Sequence, residues 1–295
     1  MVHLIYTVTV ESVPRRWFEQ AVVTLYDLVA ETRAEDGRLF LADGREVPDI
    51  RLVRGSHLRA GAEYEVDDDA RVRVAEWDRR SAVRVTQHVT DGTVTAEIEG
   101  ELRDVERPRE AGLRGSVRSG GTSGTTRWAS LTRATGTSHI RLDDWWDAAS
   151  EQSPGPGSGK DGAVRRQGPS SAPLEARLDH RLGRAVVRAT PGRLPDGRWA
   201  IRVSLTVRGR SLLRPLTAVA LRVAARALRR GFTGTLDTTA ARWNDVVPGL
   251  VSRDMPQLRE RILTAALEKP PEDESGPREV PYQASRARRD FEDRS

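Results

Sequence analysis

Residues 198–208 read Arg-Trp-Ala-Ile-Arg-Val-Ser-Leu-Thr-Val-Arg. Trp199, Ile201, Val203, Leu205 and Val207 alternate there with Ala200, Arg202, Ser204, Thr206 and Arg208, the period of two of a strand with one face in a core. Pro195-Asp196-Gly197 is the turn that feeds it. From Leu212 to about Val247 the period lengthens: Leu213, Leu216, Ala220, Val223 and Ala227 fall on one side of a helix, and Arg222, Arg226 and Arg229 on another. Gly231 and Gly234 are expected to kink this helix and Pro248-Gly249 to end it. A strand running into so long a helix calls for a sheet with one apolar face that the helix covers.

The rest of the chain supplies that sheet. Leu4, Tyr6, Val8 and Val10 share one face of an N-terminal strand. Ser12, Pro14 and the spacing Trp17, Ala21, Leu25, Leu28 predict a helix reaching about Ala30. Asp43-Gly44 predicts a small hairpin. The alternating runs Ala62-Tyr64-Val66, Val72-Val74, Val83-Val85-Val89 and Val94-Ala96-Ile98-Leu102, separated by turn signals, predict an antiparallel meander with one wet face. Residues 174–182 and 184–190 return to strand character. The fold class expected is therefore α+β: a curved antiparallel sheet covered by a long C-terminal helix. The organisation expected is a first part at 1–104, a disordered low-complexity insertion at 105–173, the last strands and long helix at 174–249, and a short helix with a disordered tail at 250–295. Within the insertion, Asp143-Asp144-Trp145-Trp146-Asp147 must dock on the domain or meet a partner.

Composition narrows the chemistry. There is no cysteine among 295 residues, so disulfides, thiolate catalysis and cysteine-ligated metals are excluded. Lys plus Arg number 48 against 43 acidic residues, a net charge of +5. Only Lys160 and Lys269 are lysines; the arginine excess raises the isoelectric point without implying general nucleic-acid affinity. Gly157 to Gly162 fits G-x-G-x-x-G but follows no strand pattern, and the five histidines lack metal-ligand spacing, so neither cofactor nor metal is expected. Met1 to Val10 lacks a basic leader and a cleavage signal, and Leu212 to Leu228 is broken by Arg214, Arg222 and Arg226, which together point to a cytoplasmic protein.

Three stretches carry a family resemblance: Val8 to Trp17, a strand entering a proline-led helix; Gly55-Ser56-His57-Leu58-Arg59-Ala60-Gly61, a glycine-bracketed entry to central strands; and Asp196 to Arg210 followed by Leu213-Arg214-Pro215-Leu216, a last strand entering a long helix. With these the chain resembles the helix-grip superfamily of START-like, birch-allergen-like and polyketide cyclase/dehydrase proteins (SRPBCC). That resemblance implies an apolar cavity for a lipid, polyketide or other hydrophobic small molecule, in some members with cyclisation or dehydration chemistry. It carries over no catalytic residue, because the superfamily has no shared catalytic motif.

Candidates come from residues whose alternation turns them toward the apolar face: apolar ones to line a pocket, and polar ones that a ligand can satisfy there. Tyr64, Gln87, His180, Trp199, Ile201 and Val203 are the ligand-binding candidates. For acid/base chemistry His180 leads by intrinsic pKa, with Glu76 or Tyr64 second. A different reading uses the arginine face, Arg222, Arg226, Arg229 and Arg230, to contact an anionic membrane surface, an acidic protein or, less favoured for want of interleaved aromatics, nucleic acid.

Overall fold

The computed structural model describes residues 1–66, 69–92, 94–119, 133–151, 172–209 and 214–268, with backbone alone for 119 and 214–225. The G-x-G-x-x-G match at 157–162 and the tail from 269 onward lie outside the described residues.

Strand β1 (Val2–Val10) leads into helix α1 (Arg15–Ala30). Pro14 rather than Ser12 occupies the position before the helix, and its fixed φ suits the first turn. The short strands β2 (Arg33–Glu35) and β3 (Arg38–Phe40) precede β4 (Glu46–Arg54). A meander follows: β5 (Glu63–Val66), β6 (Ala70–Trp77), β7 (Ala82–Asp91), β8 (Val94–Arg103), β9 (Glu110–Ser119) and β10 (Arg133–Arg141). Helix α2 (Leu142–Ser150) precedes β11 (Leu174–His180), β12 (Gly183–Arg193) and β13 (Trp199–Gly209). Two helices, α3 (Arg214–Val251) and α4 (Met255–Leu267), complete the described chain.

The thirteen strands among the described residues form one sheet in the order β1-β13-β12-β11-β10-β9-β8-β7-β6-β5-β4-β3-β2, and every neighbouring pair is antiparallel. The fold is thus α+β with an antiparallel sheet. The two edges, β1 and β2, are consecutive in the chain and joined only through α1. Laid flat, the edges would stand ~58 Å apart at ~4.8 Å per strand. The helix covers ~24 Å, and its flanking residues at full stretch bring the reach to only ~50 Å. The sheet must therefore curl, which gives it a concave and a convex face.

Register shows which side chains share the concave face. Tyr6, Val203, Ala189, Leu174, Ile140, Ala111, Leu102, Val83 and Trp77 are successive cross-strand partners from β1 to β6. A neighbouring row runs Leu205, Val187, Ala176, Ser138, Leu113, Gly100, Val85 and Val74. The opposite face carries charge ladders such as Arg84-Glu101-Arg103 and Arg177-Glu175-Arg188. These pairs are partly exposed, so each contributes at most about 1 kcal/mol.

The segment expected to be a disordered insertion is corrected in its described parts. Residues 110–119 and 133–141 are full strands, and 142–150 is a helix with Leu142, Trp145, Trp146 and Ala149 buried. Their Gly, Ser, Thr and Arg content hides the strand signal, because pairing on both sides replaces intrinsic propensity. The long helix is also not the only cover. Two buried clusters occupy opposite ends of the concave face: one around Val8, Val10, Trp145, Trp146, Trp199 and Val203, the other around Leu39, Val47, Ala62, Tyr64 and Val74. Pro248 does not stop α3 but lies in its last turn, with Ser252 N–H donating to its carbonyl at 3.1 Å.

Candidate ligand site on the concave sheet face

At the β1 end, the inward faces of β1 and β13 meet α2 and α3 around a cavity of about 350 Å³. Its wall includes Val8, Val10, Phe18, Trp145, Trp146, Trp199, Ile201, Val203, Ala240 and Trp243, and its single hydroxyl- or amide-bearing side chain among the described residues is Thr239. The rings brace one another: Trp145 stands edge-on to Trp199 at 6.0 Å, Trp146 is tilted on Trp199 at 5.5 Å, and Phe18 lies 5.9 Å from Trp146. Arg15 on α1 fixes α2 by pairing with Asp143 at 2.6 Å, while also holding Glu19 at 2.8 Å.

Helix α3 is fastened to the free edge of β1. Glu11 N–H donates to Asn244 Oδ1 at 2.8 Å, and Asn244 Nδ2 donates to the Thr9 carbonyl at 3.1 Å. One amide side chain thus offers the edge strand the acceptor and donor that another strand would, which blunts the edge. Trp243 Nε1 donates to the Glu11 carbonyl at 2.9 Å, so its polar atom is used outside the cavity. Tyr6 donates to Asp237 at 3.0 Å, and this hydrogen bond, followed by the nearby carboxylate charge, raises the phenol pKa.

The middle of the concave face is apolar but uncovered by described residues. Ile98 is 42% exposed, Leu113 56% and Leu178 50%; Leu113 stands in the second of the rows above, and Ile98 and Leu178 in the next one along, which runs Ala185, Leu178, Gly136, Gly115, Ile98 and Gln87. Gly115 and Gly136 are direct partners there, with Gly100 in the adjacent row. A Cβ at these positions would find its nearest neighbours at 3.4, 3.5 and 3.7 Å, no closer than ordinary or slightly tight contact. The chain's own packing does not demand glycine. What glycine does is keep the trough floor low, a pattern associated with close approach of a ligand or with sharp sheet curvature.

At the far end, α1 and α4 cover a second cavity of about 320 Å³ between Leu25, Leu28, Leu39, Val47, Tyr64, Val74, Trp77 and Leu263. Its rim holds a hydrogen-bond chain. Leu58 N–H donates to Tyr64 Oη at 2.8 Å, and Tyr64 Oη lies 2.9 Å from His57 Nδ1. His57 Nε2 lies 2.9 Å from Thr32 Oγ1, which donates to the Val29 carbonyl at 2.6 Å. Every hydrogen is used when Tyr64 donates to Nδ1 and Nε2–H donates to Thr32, which assigns the neutral tautomer of His57. Burial pushes the imidazole below its ordinary value, opposed by the Thr32 interaction, and burial pushes the Tyr64 phenol up.

The sequence candidates fall in different places. Trp199, Ile201 and Val203 line the first cavity and Tyr64 the second. Gln87 is half-buried on the trough between them, paired across strands with Val72 and Ile98. His180 sits at the end of β11, its Nδ1 accepting from Leu182 N–H at 3.3 Å, away from both cavities. Glu76 does not face the cavity. A register shift between Val74 and Glu76 turns Trp77 inward and sends Glu76 to the outer face, where Ser81 Oγ donates to it at 2.8 Å and Arg84 lies 3.7 Å away. Arg226, Arg229 and Arg230 are exposed on α3, while the side chain of Arg222 lies outside the described residues.

Sequence reasoning missed His57, Phe18 and Trp243, and left Trp145-Trp146 open between docking and a partner. Trp145 and Trp146 are docked. Their signal was a Leu142-Trp145-Trp146-Ala149 helical stripe; His57 had only its glycine brackets. No group of His, Asp and Glu among the described residues is placed to hold a metal. No helix among them is long and apolar enough to cross a membrane. The chain matches no protein-family model, and no curated protein is significantly similar to it.

Proposed function

We propose that this protein binds an apolar small molecule of acyl-chain or polycyclic character along its concave sheet face, seated in the tryptophan-walled cavity beneath α2 and α3 and extending over the glycine-floored trough. The observation that carries the reading is the unbroken apolar row from Val203 to Trp77, buried at Val203 and Ala189 and half-buried from Leu174 onward, flanked on the same face by the exposed side chains of Leu113, Ile98 and Leu178. Monomeric proteins rarely expose such continuity without using it. The volume, about 350 Å³, is at the small end for ligand pockets, and the adjoining trough supplies further contact area.

The binding energy is hydrophobic, at roughly 25 cal/mol per Å² of apolar surface removed from water. Gln87, with no side-chain partner among the described residues, is the polar contact placed to orient a ligand carbonyl or hydroxyl. The reading is of a carrier or sequestering protein, since neither His180 nor Glu76 borders the cavities. The helix-grip likeness agrees with it through the passage of β13 into α3 and the packing of α3 against β1, and a cytoplasmic location goes with it.

Native mass spectrometry of the purified protein, stripped with organic solvent and titrated with oleate, tests the proposal. The expected result is a one-to-one adduct that survives high salt, because its attraction is not ionic. Absence of any adduct at micromolar protein and ligand would overturn it.

A further inference from the structure

The cavity beneath α1 and α4 is separate from the one just discussed, and its rim has a property the first lacks. The polar atoms of His57, Tyr64 and Thr32 are spent on one another and on Leu58 N–H and the Val29 carbonyl. None of these three side chains has a donor left over to face the cavity, and the one other donor-bearing side chain of the described wall, Trp77, is stacked on Tyr26 with its N–H acting on that hydroxyl. A carboxylate or phosphate brought inside would therefore lose its water and gain no hydrogen bond in return. A hydroxyl loses far less, because the Tyr64 and Thr32 oxygens each keep an acceptor lone pair.

The rim is also held against strain. Leu58, which lines the cavity, has φ of 53°, a left-handed conformation unfavourable for a bulky L-residue. Its N–H is bonded to Tyr64 in that conformation. Gly55 at the start of the same loop has φ of 80°, and a Cβ on it would approach Ala62 Cα at 3.0 Å. Strained loops fixed in this way cluster at ligand clamps. In size, about 320 Å³ is roughly twice an engineered cavity that accepts benzene. That corresponds to two fused rings or a chain of about ten carbons.

We infer that this cavity is a second, independent binding site, selective for an uncharged apolar molecule or alcohol of about ten carbons and closed to the corresponding carboxylate. The inference extends the reading given under the proposed function to a new site and can fail without it.

The test is calorimetric titration of the whole protein at pH 8 with 1-decanol and with decanoate, in a background where Ala240→Phe, or Thr239→Trp should that variant not fold, blocks the cavity beneath α3. Circular dichroism checks folding of each variant. Decanol is expected to bind the blocked protein, decanoate to bind it at least about tenfold more weakly, and a further Leu263→Trp on α4 to abolish decanol binding. Tyr64→Phe, which releases Leu58 N–H as a donor, is expected to narrow the preference for the alcohol. Equal binding of the two ligands to the blocked protein would overturn the selectivity. Decanol binding that disappears with Ala240→Phe and is untouched by Leu263→Trp would overturn the second site while leaving the first intact. Binding of neither ligand to the blocked protein, with oleate still held by the unblocked one, would do the same.

Discussion

The two ends of the sheet solve one problem, covering a concave apolar face, in different ways. At the β1 end the cover is aromatic: three tryptophans and Phe18 brace one another, and the helix above them is tied to the strand edge through Asn244. At the β2 end the cover is aliphatic, and a neutral hydrogen-bond chain through His57 fixes the loop and the end of α1. The first end should tolerate changes in pH and fail on loss of bulk. The second should be sensitive to protonation and to the loss of single hydroxyls.

The largest effect expected is from Trp199→Ala, which removes the ring shared by Trp145 and Trp146. It should lower unfolding free energy by about 3–5 kcal/mol, measured by urea denaturation. The counterpart Trp77→Ala, which loses a half-buried ring stacked on Tyr26 at 5.0 Å, should lower it by less. A larger effect from Trp77 would reverse the assignment of the main core.

Next comes Tyr64→Phe, which leaves Leu58 N–H and His57 Nδ1 without partners. A loss of about 1–3 kcal/mol is expected, with hydrogen exchange at 55–62 accelerated and that of β1 and β13 unchanged. Asn244→Ala is its mirror at the other end. It frees a donor and an acceptor on β1 and should lower stability by about 1–2 kcal/mol, with a rise in self-association because the strand edge is bared.

Protonation gives a smaller effect that is confined to one end. The folded pKa of His57 lies below its ordinary value of 6.5, so the unfolded chain binds the proton more readily. Stability contributed by the neutral imidazole is present above about pH 6.5 and is lost as pH falls through that value toward the lower folded pKa. Unfolding free energy measured between pH 8 and 5.5 should decline, and His57→Gln should flatten the part of the slope it causes. A slope unchanged in His57→Gln would dissociate the chain from stability. Smallest is Arg79→Ala, which breaks partly exposed pairs to Asp27 at 2.7 Å and Glu106 at 3.0 Å; at most about 1 kcal/mol is expected.

The legibility of these features in the sequence follows the physics. Strands with strict alternation, such as β13 and β8, and the amphipathic segment that became α4 were readable because burial of one face imposes their period. Strands β9 and β10 were not, because Gly115 and Gly136 carry no side chain to mark a face and Ser138 marks it with the wrong polarity. Glu76 was placed on the inner face because alternation cannot foresee a bulge one residue earlier. The tryptophan and valine candidates reached the first cavity because they lie on the most regular strand. The His57 chain depends on a loop, an adjacent strand and the end of a helix, and no local pattern joins Thr32, His57 and Tyr64 before the sheet has formed.

The most direct test of the concave face as a ligand site is quenching of tryptophan fluorescence by 9,10-dibromostearate, since Trp145, Trp146, Trp199 and Trp243 all border the first cavity. Saturable quenching at one equivalent, strongly reduced in Ala240→Phe, is the expected result. Quenching that fails to saturate, or that is the same in Ala240→Phe as in the unaltered protein, would contradict it.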